Sequence, residues 1–110
     1  MRAGAVQVRG RLPADVIRRV VRSTFGRFAL CYENALRVDP KLAGRITVRF
    51  TIDGSGSVSS ATEDSSDLTS PTMRQCVVRS FATLPFPQPE SGTVTVDYPL
   101  IFALPAKPSK

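Results

Sequence analysis

Two hydrophobic periods alternate along the chain. In "GRITVRFTID", Ile46, Val48, Phe50 and Ile52 fall on one side of a period of two and Arg45, Thr47, Arg49 and Thr51 on the other, the pattern of a half-buried strand. "GTVTVDYPLIFAL" repeats it, with Val94, Val96, Tyr98, Leu100 and Phe102 set against Thr93, Thr95 and Asp97. Pro99 fits that strand only where the ladder needs no amide donor. A shorter alternation, Val6 and Val8 against Gln7 and Arg9, predicts a first strand in "AVQVRG".

Elsewhere the period is that of a helix. From Pro13 to about Val38 the spacing predicts one long helix, with Ile17, Val20, Val21, Thr24, Phe28, Cys31 and Ala35 as its buried stripe. Val16, Phe25, Tyr32 and Leu36 widen that stripe. Pro13 suits a first helical position, Asp15 the positive first turn, and Pro40 stops the helix by its effect on Asp39. Asp15–Arg18 and Glu33–Arg37 are expected surface pairs, each worth a few tenths of a kcal/mol. A second helix opens at Ser70 as N-cap and Pro71, with Met73, Cys76, Val77, Ser80, Phe81 and Leu84 inward.

"DGSG" after the clearest strand is a turn-forming run. "SVSSATEDSS" then occupies a strand's position with little apolar content beyond Val58, which predicts an edge strand. The order is strand, helix, two hairpin strands, helix, strand. The fold class is α+β, a two-layer β-α-β-β-α-β arrangement with an antiparallel sheet and both helices packed on one face.

Size changes little in this picture. At 110 residues the chain is one domain, expected over 1–104, with a Pro- and Lys-rich tail at 105–110 expected to be disordered. No apolar run approaches the roughly 20 residues of a membrane span, and "MRAGAVQVRG" has no secretory h-region. The chain is then cytosolic, or a piece of a longer one whose export or anchoring segment lies upstream. The net charge of +6 suits nucleic acid, anionic lipid or an acidic partner, and equally a plain solvated face.

The chemistry available is sparse. There is no histidine to act as a general base, and Glu63, Asp64 and Asp67 stand in a Ser-rich stretch read as a solvated loop. "DGSG" lacks the remaining ligands of a calcium loop, and no Gly-rich phosphate loop precedes a helix. The reading is of a non-enzyme with no cofactor and no metal site. Cys31 and Cys76 both lie on inward stripes. They read either as a bridge, closing a loop of about 45 residues at about 4 kcal/mol, or as two buried free thiols acting as small hydrophobes.

An ordered set of weak motifs resembles the C-terminal domain of TonB-type energy transducers. It comprises Gly44 before the alternating strand, Asp53-Gly54 in the turn, Val58 leading a strand that closes on Ser65-Ser66, Phe86-Pro87 after the second helix, and Gly92 before the last strand. The "CYENAL" stretch at Cys31, with Cys76 in the second helix, looks like the branch found in AgmX/PglI-type gliding-motility proteins. The likeness runs from about Gly10 to Phe102, and lacks that family's Tyr-Pro segment ahead of the first helix, so it does not fix the kind of partner peptide.

The resemblance implies a periplasmic domain of an inner-membrane-anchored protein, reached by an inner-membrane motor complex through an upstream region. An oxidising compartment then favours a Cys31–Cys76 disulfide. It also implies that an extended peptide of an outer-membrane or periplasmic protein adds to a free sheet edge, here Ser57, Val58, Ser59, Ser60, Ala61, Thr62 and Glu63. The residues themselves read equally as an edge kept polar against aggregation. Two other partner classes are open. Arg9, Arg45 and Arg49 on an open sheet face would suit nucleic acid, although Phe50 shares the core side and stacking rings are lacking. The apolar terminal strand "VTVDYPLIFAL" would suit a homodimer.

Overall fold

The structure, a computed structural model, describes residues 1–104. Its elements are β1 (Arg2–Ala3), β2 (Gln7–Arg9), α1 (Ala14–Arg22), α2 (Phe25–Leu36), β3 (Gly44–Ile52), β4 (Val58–Ser66), α3 (Pro71–Ala82) and β5 (Val94–Phe102). The fold is α+β: a five-stranded antiparallel sheet in the order β1-β5-β3-β4, with β2 also on β5, and helices packed on one face. The alternating residues form the core as expected. Ile46, Val48, Phe50 and Ile52 of β3 and Val94, Val96, Tyr98, Leu100 and Phe102 of β5 are all buried.

The single long helix is in fact two. Ser23 Oγ donates back to the Val20 carbonyl at 2.5 Å, and the Thr24 amide bonds Val21 three residues back. Thr24 leaves helical geometry at φ −107°, ψ 6°. A serine that bonds the preceding turn competes with the helical ladder, and Gly26 beside it is a poor helix former. The break lets α1 and α2 take separate seats. Ile17 and Val21 anchor α1, whose Arg18 and Arg22 lie close enough to Tyr98 of β5 to oppose the upward push that burial gives its phenol. Phe28, Cys31 and Tyr32 anchor α2, and Tyr32 donates to the Leu42 carbonyl at 2.6 Å.

Other expectations resolve in detail. Ser70 caps α3, accepting from the Met73 amide at 3.2 Å. Asp15–Arg18 forms at 3.2 Å, whereas Glu33 and Arg37 make no ion pair among the described residues. The first strand is interrupted, and the interruption faces Pro99. A residue in an antiparallel strand turns its N–H and C=O to the same side. The Pro99 carbonyl accepts from Gly4, so its missing donor also faces the gap between β1 and β2. β5 is therefore central and paired on both sides. The tail at 105–110 lies outside the described residues.

A disulfide joins Cys31 of α2 to Cys76 of α3, with Cα atoms 5.8 Å apart and a sequence separation of 45. Below it an aromatic column crosses the layers. Phe28 meets Phe81 at 4.9 Å between ring centroids, and Phe81 meets Phe50 at 5.2 Å and Tyr98 at 5.7 Å. Phe81 thus links both stapled helices to the two central strands.

Candidate functional site

β4 pairs with β3 alone, so its other side is the one long unpaired edge among the described strands. The outward groups can be deduced. The Asp53 amide donates to the Ser57 carbonyl, and the Arg45 carbonyl accepts from the Asp67 amide. Odd-numbered residues of β3 therefore face β4, and Thr47–Ser65, Arg49–Thr62 and Thr51–Ser60 are the hydrogen-bonded pairs. Val58, Ala61 and Glu63, opposite Ile52, Phe50 and Val48, turn their backbone N–H and C=O groups outward. Those three also point their side chains toward the helix layer, where Val58 and Ala61 are half-buried.

Two register steps shape this edge. Ser59 and Asp64 are extra residues, lying between the pairs formed by Val58 and Ser60 and by Glu63 and Ser65. Bulges twist an edge and re-aim its side chains. Of the seven residues expected at the edge, Val58 to Glu63 lie in β4, which continues through Asp64, Ser65 and Ser66. Ser57 lies in the turn instead, where its carbonyl and amide both bond Asp53.

That turn is tightly specified. Asp53 Oδ1 accepts from the Ser55 hydroxyl at 2.6 Å and from the Ser55 and Ser57 amides at 3.0 and 3.1 Å. These bonds, the Ser55 hydroxyl's first, hold the Asp53 carboxyl below its ordinary pKa. Gly56 takes φ +92°, and a Cβ there would strike the Phe86 carbonyl. The Phe86 amide donates to the Gly56 carbonyl, tying the segment after α3 to the base of the edge.

The carboxylates read from the sequence as lying in a solvated loop are placed differently. Glu63 and Asp64 belong to β4. Glu63 meets Arg74 of α3 at 3.1 Å, and Asp64 meets Arg49 at 3.6 Å. Asp67 accepts from the Arg45 amide at 2.6 Å. No spacing in the sequence signalled the groove of about 340 Å³ between β4 and α3, lined by Glu63, Pro71, Arg74, Gln75, Val78 and Arg79. It lies beside the outward edge, where alternate side chains of an added strand would fall.

The opposite sheet face is polar. Arg49 forks onto Asp97 at 2.7 and 3.3 Å, and its hydrogen bond holds the Asp97 carboxyl below its ordinary pKa against partial burial. The strand register sets Arg9, Arg45, Thr47, Arg49, Thr51 and Thr95 on this face and no aromatic ring, since Phe50, Tyr98 and Phe102 point into the core. Among the described residues no group of three or more His, Cys, Asp or Glu side chains gathers as a metal site, and no helix is long and apolar enough to cross a membrane. Compared with protein-family models, curated proteins and solved structures, the chain finds no match.

Proposed function

We propose that this chain is a non-enzymatic protein-binding domain of a TonB-like, gliding-motility-type envelope protein. In this reading it is the periplasmic domain of an inner-membrane-anchored protein. It couples an inner-membrane complex to outer-membrane or cell-wall partners by accepting an extended peptide along β4. The observation that carries the reading is the edge itself. β4 is nine residues long, polar, and directs the N–H and C=O groups of Val58, Ala61 and Glu63 outward, whereas the far side of β5 is occupied by β1 and β2. An edge of that length offers several backbone hydrogen bonds at once, which suits a grip that must carry load along the strand. The disulfide supports an oxidising compartment.

Ala61→Pro tests the grip. It removes an outward amide while leaving the Arg49–Thr62 and Thr51–Ser60 ladder bonds in place, a position where an edge strand accommodates proline. Wild-type domain should capture a partner from envelope extract, and the captured partner should slow amide exchange at Val58, Ala61 and Glu63. The folded variant should lose that capture. Undiminished capture by a variant with unchanged melting would overturn strand addition at β4. Placement is tested separately by alkylating the chain as isolated from the envelope, where two cysteines should react only after reduction.

A further inference from the structure

The net charge is concentrated in one part of the chain. Residues 1–27 contain seven arginines and one aspartate, which gives +6, the value for the whole chain; the remainder holds eight cations and eight acids, which cancel. Around β4 the charges are mixed, with Glu63 paired to Arg74 and Asp64 to Arg49. On the opposite flank, Arg11, Arg18, Arg19 and Arg22 lie on the turn after β2 and on α1, whose Arg18 and Arg22 come near Tyr98 of β5.

Little offsets those four charges. Arg18 has Asp15 at 3.2 Å, and Arg11 reaches Glu90 only at 3.9 Å with side chains 72% and 79% exposed, too solvated to contribute much. Arg19 and Arg22 make no ion pair among the described residues. A patch of this kind attracts whatever presents anions in an array. All eight aromatic side chains are buried or half-buried, so a nucleic-acid strand finds no ring to stack on. The inward residues of α1, Ile17 and Val21, are fully committed to the core, so no apolar face is free to insert. The interaction left is charge on phosphate.

We propose that the flank formed by the turn after β2 and α1 docks on an anionic phospholipid surface, with headgroup phosphates as its ligand. This surface is separate from the β4 edge, so a domain resting on a membrane through its N-terminal flank keeps β4 free. Attraction of this kind contributes per arginine, is strong at low salt and vanishes when the Debye length shrinks to a few ångströms at about 1 M salt.

The test is co-sedimentation of the disulfide-intact domain with phosphatidylcholine vesicles containing phosphatidylglycerol, and with pure phosphatidylcholine vesicles as control. Binding is expected to the anionic vesicles alone at about 0.1 M salt and to disappear near 1 M. Arg19→Gln with Arg22→Gln should lower the partition coefficient by about 30-fold. Arg37→Gln with Lys41→Gln removes the same charge elsewhere and should change it by only a small factor, and melting curves establish that both variants fold. No binding to anionic vesicles, or an equal loss in both variants, would overturn the proposal. A labelled single-stranded oligouridylate held more tightly than the vesicles would overturn it in favour of nucleic acid.

Discussion

Reduction of the Cys31–Cys76 bond removes a constraint on the unfolded chain more than a contact in the folded one. Both sulfurs sit between α2 and α3, Cys31 is 4% exposed, and the helices remain in contact through Phe28 and Phe81 without the bond. The folded state should therefore survive reduction with its core intact. The unfolded state gains the freedom of a 45-residue loop, and chain-entropy reasoning sets that at about 4 kcal/mol near room temperature. For a domain of this length the entropy of unfolding converts this to a fall in melting temperature of about 15 °C. Urea unfolding followed by circular dichroism, with and without a reductant, gives both the midpoint and the slope. The midpoint should fall, and the slope should rise because an uncross-linked unfolded chain exposes more surface. A loss below about 1 kcal/mol with unchanged slope would refute the argument and show that the cross-link restrains little in the unfolded ensemble.

Three further outcomes follow from particular side chains. Phe81→Ala should cost about 3–5 kcal/mol in urea unfolding, because the ring touches Phe28, Phe50 and Tyr98 and its removal leaves a cavity at the centre of both layers; combined with reduction it should leave the chain unfolded by circular dichroism. Gly56→Ala should destabilise by about 2 kcal/mol, since φ is +92° and the new Cβ meets the Phe86 carbonyl, whereas Gly54→Ala, with open space around it, should stay within about 0.5 kcal/mol. Asp97 has a lowered pKa in the folded state, so it stabilises above its unfolded value, near 3.9, and that contribution is lost as pH falls through the folded value. Asp97→Asn should flatten the acid limb of a pH–stability profile and cost about 1 kcal/mol at neutral pH, a modest figure because Arg49 is 44% exposed.

The layers were legible because each element carried its own period and its own punctuation. β3 and β5 alternate strictly, Ser70-Pro71 announces α3, and the Asp53 turn joins two strands whose polarity differs as an interior and an edge strand should. The helix break was not legible from apolar spacing, because Ile17, Val21, Thr24 and Phe28 continue one stripe across it. Its signal lay in the polar side of the pattern, in Ser23, Thr24 and Gly26, whose backbone preferences count only locally. The bulges at Ser59 and Asp64 had no signal at all. A register step is a property of two strands together, and a Ser-rich strand with few apolar residues does not pin its own register.

The two sides of the sheet owe their difference to the same local chemistry. Pro99 lacks an amide on its outer side, so the strand that covers β5 must break there, and two short pieces, β1 and β2, close that edge. β4 has no such cover among the described residues, and its defence against unwanted pairing lies in serines, bulges and acids held by Arg74 and Arg49. These features deter a second flat strand without removing the outward donors at Val58, Ala61 and Glu63. The strand partner proposed for this edge would therefore have to match the bulged geometry and fit its helix-facing side chains into the groove against α3. α3 in turn is bonded covalently to α2 and packed through Phe81 onto β3 and β5. On the proposed reading, load taken up at β4 would pass into both layers at once, through the β3 ladder and through α3, and the disulfide would keep the helix layer from parting where that load enters it.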